Sequence, residues 1–403
     1  ALPVPIFYKG MTGHSVKVYQ DDIATSSEET IDRGVVNEQM QHGISIKTFF
    51  FTCCNTLISQ ALSVPFMFTT AGWVAFITQA LAAVLAFICI QLVRIALRNE
   101  RVVDYAEQKG IPPFEREYTF LGEFCAGSLG RVGMTLLIFI EYFTGLATNL
   151  AAIGLCAELL LSSVRAEVWI VIFAGLTLAL ILVPWLREIS AVLGGLAVIG
   201  IVGSMVTWVG SAFAISPTSH FVENFPPREP LLVNLVTAFS LSMWTSADVP
   251  SLPPYLGAVK GTTNRRISVT LILCLTLSVV YVYIIGMAGM QVCDGVCHDF
   301  YPGSLAGMFP ALIPTWLVYS LYIFLLVRMF VIMPILMVPL MVSSETIVGS
   351  VLAKSTTTSK LMRFKYWRFI VRCLIMICGA LGAILAKAQL AYFQAIASTI
   401  LTS

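Results

Sequence analysis

Runs of about twenty apolar residues recur along this chain, near 46–71, 73–97, 131–161, 167–186, 190–215, 231–256, 267–290, 312–343 and 368–386. Such a length lets an α-helix cross the hydrocarbon layer of a bilayer. In lipid a backbone must satisfy its own polar groups, so continuous runs read as spanning helices, whereas a membrane β-barrel would show short alternating segments. Nine spans follow from this pattern, and residues 388–403 read as the opening of a tenth. Composition removes the soluble alternative. Charged residues make up 11% of the 403, against about a quarter in a soluble domain, too few to cover a water-facing surface.

The basic residues orient the spans. With the N-terminus on the cytoplasmic side, or its organellar equivalent, 20 of the 24 Lys and Arg fall on inner segments. They cluster at Lys9–Lys47, Arg94–Arg131, Arg187, Lys260–Arg266 and Lys354–Arg372. The opposite side holds Arg165, Arg228 and Lys387, and Arg328 lies inside a span. This asymmetry is the positive-inside pattern, and it predicts an integral, multi-pass protein with an inward N-terminus. A net charge of +2 gives no reason to expect a nucleic-acid partner.

Two spans are interrupted by proline. The first carries Asn55, Ser59, Gln60 and Ser63 ahead of Pro65, and the sixth carries Ser246, Asp248 and Ser251 around Pro250, Pro253 and Pro254. Proline removes a backbone donor and disrupts the turn before it. In a membrane the freed carbonyls need partners, so such a break belongs beside protein or a polar cavity. Proline kinks are common in single membrane helices, but a matched pair five spans apart is the sequence sign of an inverted-repeat transporter.

The same stretches resemble the amino acid/auxin permease family of secondary transporters (amino acid-polyamine-organocation type). The residues that carry the resemblance are Asn55 through Pro65, then Phe66 and Ala71-Gly72-Trp73; Pro184 through Ser190; Asp248 through Leu252; Met333-Pro334-Ile335; and Arg372-Cys373-Leu374. It extends over about residues 45–400. It implies an all-α polytopic protein with a five-plus-five inverted-repeat (LeuT-type) fold and broken spans 1 and 6. The polar tail is 1–44, the first repeat 45–215, and the second repeat 231–403, which reads as incomplete at span 10. It also implies ion-coupled uptake of an amino acid or related small molecule, with H+ or Na+ as coupling ion and no other cofactor. One departure is chemical: most members have Gly-x-Gly in the unwound part of span 1, where this chain has Ile58-Ser59-Gln60. Glycines there let a substrate carboxylate approach bare backbone amides.

On this reading Ser59, Gln60, Ser63, Asn149, Ser246, Ser251 and Arg328 are the candidate substrate-binding residues. Glu141 and Asp248 are the candidates for ion coupling. Glu141 lies in span 3, where an ionised carboxylate is costly, and Thr144, Gly145, Thr148 and Asn149 continue its helical face. That stripe either lines a substrate path or allows close helix packing. Arg328 either holds an anionic substrate or balances Glu141 or Asp248; Asp248 either titrates or caps a helix segment.

Eight of the ten cysteines lie in or beside apolar runs, where cysteine acts as a small hydrophobe. Cys293 and Cys297 share a polar outer loop and are the candidate disulfide; their spacing before His298 is one residue too long for haem attachment. No nucleotide loop, catalytic triad or zinc spacing occurs, so neither enzyme activity nor a bound metal is expected. Residues 106–118 form a charged inner loop read as solvated or docked. The tail shows no intact signal peptide, and its polar ATSSEET composition favours disorder unless another protein holds it. The rival to transport is a transporter-derived structural subunit of a larger membrane complex.

Overall fold

The computed structural model describes residues 44–58, 63–111, 116–182, 190–214, 219–227, 230–245, 249–259, 263–292, 313–353 and 367–387. Span 1 is two helices, α1 (Ile46–Leu57) and α2 (Val64–Ala71). Then come α3 (Val74–Leu97), the short α4 (Glu100–Gln108), α5 (Tyr118–Leu160), α6 (Ala166–Leu182) and α7 (Ser190–Ala214). After the short α8 (Ser219–Asn224), span 6 is divided into α9 (Leu231–Trp244), a 3-10 turn at Val249–Ser251 and α10 (Pro253–Ala258). The series closes with α11 (Asn264–Val292), α12 (Thr315–Ala353) and α13 (Trp367–Ala386). Apart from an isolated bridge between Ile44 and Val259, the described secondary structure is helical.

Six of these helices contain stretches long and apolar enough to cross a membrane, and α6 and α9 are shorter apolar helices. The chain is therefore a multi-pass integral membrane protein, helical across its described residues. The inside-out burial of α3 shows what lipid does to helix patterning. Ile77, Leu81, Val84, Ile88, Leu92 and Ile95 recur every three or four residues and are exposed, whereas Ala75, Thr78, Gln79, Ala82 and Ala86 are buried. In water that outer stripe would be a large apolar patch; against lipid it is the expected surface.

The sequence pattern and the helices differ most at span 3. The apolar run opens near 131, but α5 begins at Tyr118 and bends sharply at Ala126 and Gly127, with Gly127 at φ +62°. The first arm folds back on the second, so that a Cβ at Gly130 would lie 2.1 Å from the Gly122 carbonyl oxygen. The described start of the charged loop, through Ile111, packs in this region. Asn99 caps α4 by accepting from the Arg101 amide at 3.0 Å, and Val102 and Ala106 pack with Leu97 and Phe120. Lys109 then pairs with Glu123, which also takes Arg131 at 3.2 Å. The Glu123 carboxylate holds the Lys109 ammonium above its ordinary range.

Two groups of helices emerge from the packing. In the first, α11 packs on α1, α2 and α3, and α9 packs on α2 and α3. In the second, α12 packs on α5, α6 and α13, and α13 also packs on α5 and α6. Helix α7 touches both, through α12 on one side and α11 and α1 on the other. Glycines make the closest approaches. Gly286 and Gly289 of α11 receive Phe68 and Pro65 of α2, with a missing Cβ standing 2.5 and 2.6 Å from them. On α7, a Cβ at Gly203 would lie 2.3 Å from the Phe324 ring. Gly203→Ala is therefore expected to lower stability by about 1–3 kcal/mol, the usual cost of overpacking. Adding Phe324→Ala should recover part of the loss. Thermal unfolding of the single and double variants in detergent tests this, and purely additive losses would mean the two residues do not oppose each other.

Candidate functional site

The division of span 1 places polar backbone in the middle of a membrane protein. The last carbonyls of α1 have no amide donor further along the helix, because the chain leaves helical geometry after Leu57. Pro65, in the first turn of α2, has no amide hydrogen to offer. The acceptors are answered from the side. Arg328 of α12 is 2% exposed. Its guanidinium donates to the Asn55 side-chain oxygen at 2.8 Å, the Asn55 carbonyl at 2.7 Å and the Ile58 carbonyl at 2.7 Å. Ser278 of α11 donates to the Leu57 carbonyl at 2.7 Å.

A guanidinium suits this place for two reasons. Its planar fork reaches several oxygens at once, and a positive charge is favoured at a helix C-terminus, where the peptide dipoles converge. Its position depends on α7. At Gly200 a Cβ would lie 2.9 Å from the Arg328 Cβ, so glycine lets α12 come close enough for the arginine to reach α1. Ser204, one turn further on α7, hydrogen-bonds the Tyr281 hydroxyl of α11 at 3.1 Å, and Tyr281 is within electrostatic range of Arg328. Four elements thus meet at one buried charge.

The end of α9 is held in an analogous way by α3. Thr245 donates to the Ser242 carbonyl at 2.7 Å and accepts from the Gln79 amide at 2.9 Å. Ser242 lies 3.1 Å from the Thr78 hydroxyl and 3.3 Å from the Met67 sulfur. All four polar side chains are buried.

On α5, Thr144, Gly145, Thr148 and Asn149 are buried, and Glu141 is half-buried one turn away. Thr148 donates to the carbonyls of Thr144 and Gly145 at 3.0 Å, and Asn149 donates to the Gly145 carbonyl at 2.8 Å. The stripe is not uniform. A Cβ at Gly145 would meet nothing within 4 Å, although the residue is buried, whereas one at Gly154 would strike Ile170 of α6 at 2.5 Å. Gly154 is a packing glycine. Gly145 borders open space, and Glu141 is on the same face. Tyr118, on the folded-back arm of α5, lies within electrostatic range of Glu141.

Of the residues singled out from sequence, Ser63, Asn149, Ser251, Arg328 and Glu141 are described. Ser63 and Ser251 are buried at the breaks in spans 1 and 6, and Ser63 makes no side-chain cap to α2. Ser59, Gln60, Ser246, Asp248, Cys293 and Cys297 lie outside the described residues, as do the tail and the start of the tenth span. Arg328 takes a third arrangement beside the two expected, bonding main-chain carbonyls of span 1. Ser278, Gln79 and Thr245 were not singled out, because a lone hydroxyl or amide in an apolar span has no spacing signal. Among the described residues no cluster of His, Cys, Asp and Glu is suited to a metal. Cys54 and Cys274 stand 3.7 Å apart as buried free thiols.

No protein-family model matches the chain, and no curated protein matches it.

Proposed function

We propose that the chain is a secondary active transporter of an amino acid or related small metabolite, driven by H+ or Na+ and working by alternating access. The observation that carries this reading is the division of the helices into two packed groups around broken spans. Spans 1, 2, 6 and 7 form one group and spans 3, 4, 8 and 9 the other, with span 5 between them. The pairings also follow a repeat. Exchanging span 1 with 6 and span 2 with 7 turns the packing of α11 on α1 and α2 into that of α9 on α3. A five-plus-five inverted repeat has this property. In this scheme the substrate binds at the midplane between the two breaks, beside Ser63 and Ser251. Glu141 is the proton carrier in this scheme.

One observation favours the rival reading of a structural subunit. Arg328 ties α12, of the second group, to α1, of the first. A fixed cation there opposes the sliding that transport requires, unless the contact opens during the cycle.

The test is uptake of pooled radiolabelled amino acids into proteoliposomes holding the purified protein, with and without an imposed pH gradient. Gradient-stimulated uptake is expected. Glu141→Gln should reduce that stimulation at least about tenfold, the scale of removing a positioned proton-transfer group, while the protein stays folded. Full stimulation in the variant would remove Glu141 from the mechanism, and no uptake by folded wild-type protein would favour the structural subunit.

A further inference from the structure

We propose that the cleft between the end of α3 and the start of α11 binds the phosphate of an anionic phospholipid, with the acyl chains laid along the apolar faces beside it. The cleft has a volume of about 530 Å³ and is lined by Gln91, Arg94, Arg98, Asn264, Arg265 and Ser268, with Ile95 at its edge. Three arginines therefore surround one open space. Gln91, Arg94 and Ile95 share one face of α3 at helical spacing, and Arg98 continues that spacing just past the helix end. Asn264, Arg265 and Ser268 come from the first turns of α11.

The arginines are positioned by neutral groups. Arg94, 6% exposed, donates to the Ser268 hydroxyl at 2.7 Å, the Asn264 carbonyl at 2.8 Å and the Gln91 side-chain oxygen at 3.2 Å. Arg98 donates to the Asn264 side chain. Among the described residues, the ion pairs involve Lys109, Arg131 and Lys387, and none of the three cleft arginines. Arg94 and Arg98 are close enough to repel each other. Positive charge lining an open cleft, with no ion pair to it among the described residues, calls for an anion. Forked guanidinium donors match phosphate oxygens, and the positive end of the α11 dipole adds to the same field.

The surroundings decide between a lipid and a soluble phosphate compound. The cleft lies at the ends of two membrane-spanning helices, on the side that carries the basic loops. Directly along α3 from the arginines, Leu92 and Ile95 are 60% and 65% exposed, and on α11 Val269 is 56% exposed with Ile272 beyond it. These side chains sit within about two helical turns of the charged residues and face lipid. A phospholipid satisfies both parts at once, whereas a soluble phosphate leaves the apolar strip unused. Basic pockets between spanning helices are suited to anionic headgroups.

The experiment is native mass spectrometry of the purified full chain in neutral detergent, titrated separately with phosphatidylglycerol and phosphatidylcholine. The expected result is at least about tenfold tighter retention of phosphatidylglycerol, given the usual gain per arginine near an anionic headgroup. In Arg98→Gln/Arg265→Gln that preference should vanish. Both residues are exposed, and an unchanged thermal midpoint will show that the variant is folded. Arg101→Gln, exposed on the same side but not lining the cleft, should keep the preference. Equal retention of the two lipids by wild-type protein overturns the proposal, as does full preference in the double variant or an equal loss in Arg101→Gln. Glycerol 3-phosphate supplied at the lipid's own concentration separates the two sources. Lipid left in place supports the phospholipid, and its displacement overturns it in favour of a soluble phosphate compound.

Discussion

Arg328→Met should destabilise the protein by about 3 kcal/mol, read as a large fall in the thermal midpoint in detergent. The substitution keeps much of the side-chain volume, so the loss comes from the acceptors left behind. The Asn55 side chain and carbonyl and the Ile58 carbonyl would lose a charged donor. A hydrogen bond to a charged group is worth about 1.5–3 kcal/mol, and a buried acceptor without a partner costs about 1–3 kcal/mol. The terms do not add fully, because the three acceptors share one donor group. Helix-to-helix bonds in membranes also measure weaker than in water, at about 0.6 kcal/mol on average, which keeps the estimate near the lower end of the sum. Arg328→Lys should recover only part, because an ammonium is a compact charge without the planar fork. Adding Asn55→Leu to Arg328→Met should cost less than the separate losses combined. A midpoint unchanged in Arg328→Met would sink the account of span 1 given above.

The same residue links stability to transport. If the two helix groups rock, the α1–α12 contact must either move as a unit or break in each cycle. Conservative weakening by Arg328→Lys then separates the two readings of the protein. A transporter limited by this contact gains turnover as it loses stability, and a structural subunit loses stability alone.

Much of the fold is legible in the sequence because lipid imposes a single period and a single length. Helices α3 and α11 fall within a few residues of the apolar runs at 73–97 and 267–290. The break expected around Ser59–Ser63 falls between the end of α1 at Leu57 and the start of α2 at Val64. Proline marks that break chemically, so it can be read without neighbours. The bend in α5 could not be read the same way. Ala126 and Gly127 sit among small residues compatible with a straight helix, and only the crossing of Gly122 against Gly130 requires the turn. The site was less legible still. Arg328 is conspicuous as a charge in an apolar span, but its partners Asn55 and Ile58 are about 270 residues away, and two of the three bonded oxygens are main-chain atoms that every residue has. Residue type gives no hint of such a partner. Likewise Thr245 and Gln79 become a pair only when α9 lies on α3.

Gly72 marks the other place where one atom decides the packing, and Gly72→Ala should cost about 3 kcal/mol or more. Two independent penalties act there. Gly72 has φ +57° and ψ −136°, a conformation open to glycine and strained by about 1–3 kcal/mol for other residues. A Cβ would also stand 2.2 Å from the Phe225 carbonyl oxygen and 2.7 Å from the Pro226 carbonyl carbon. Those are backbone atoms, so no rotamer change relieves the clash. The backbone cannot retreat freely either, since the Trp73 amide donates to the Phe225 carbonyl at 2.9 Å and Asn224 donates to the Met290 carbonyl at 2.9 Å. Relief would require withdrawing the Phe225–Pro227 segment from the start of α3 and loosening its anchor on α11. Gly133→Ala and Gly175→Ala are the controls. Both residues are helical, without a positive φ, and their missing Cβ atoms face open space. Alanine there should be neutral or stabilising by up to about 1 kcal/mol from helix propensity. Thermal midpoints of the three variants measured side by side check the argument. If Gly72→Ala falls no further than the controls, neither the backbone angle nor the Phe225 contact constrains the junction between spans 1 and 2.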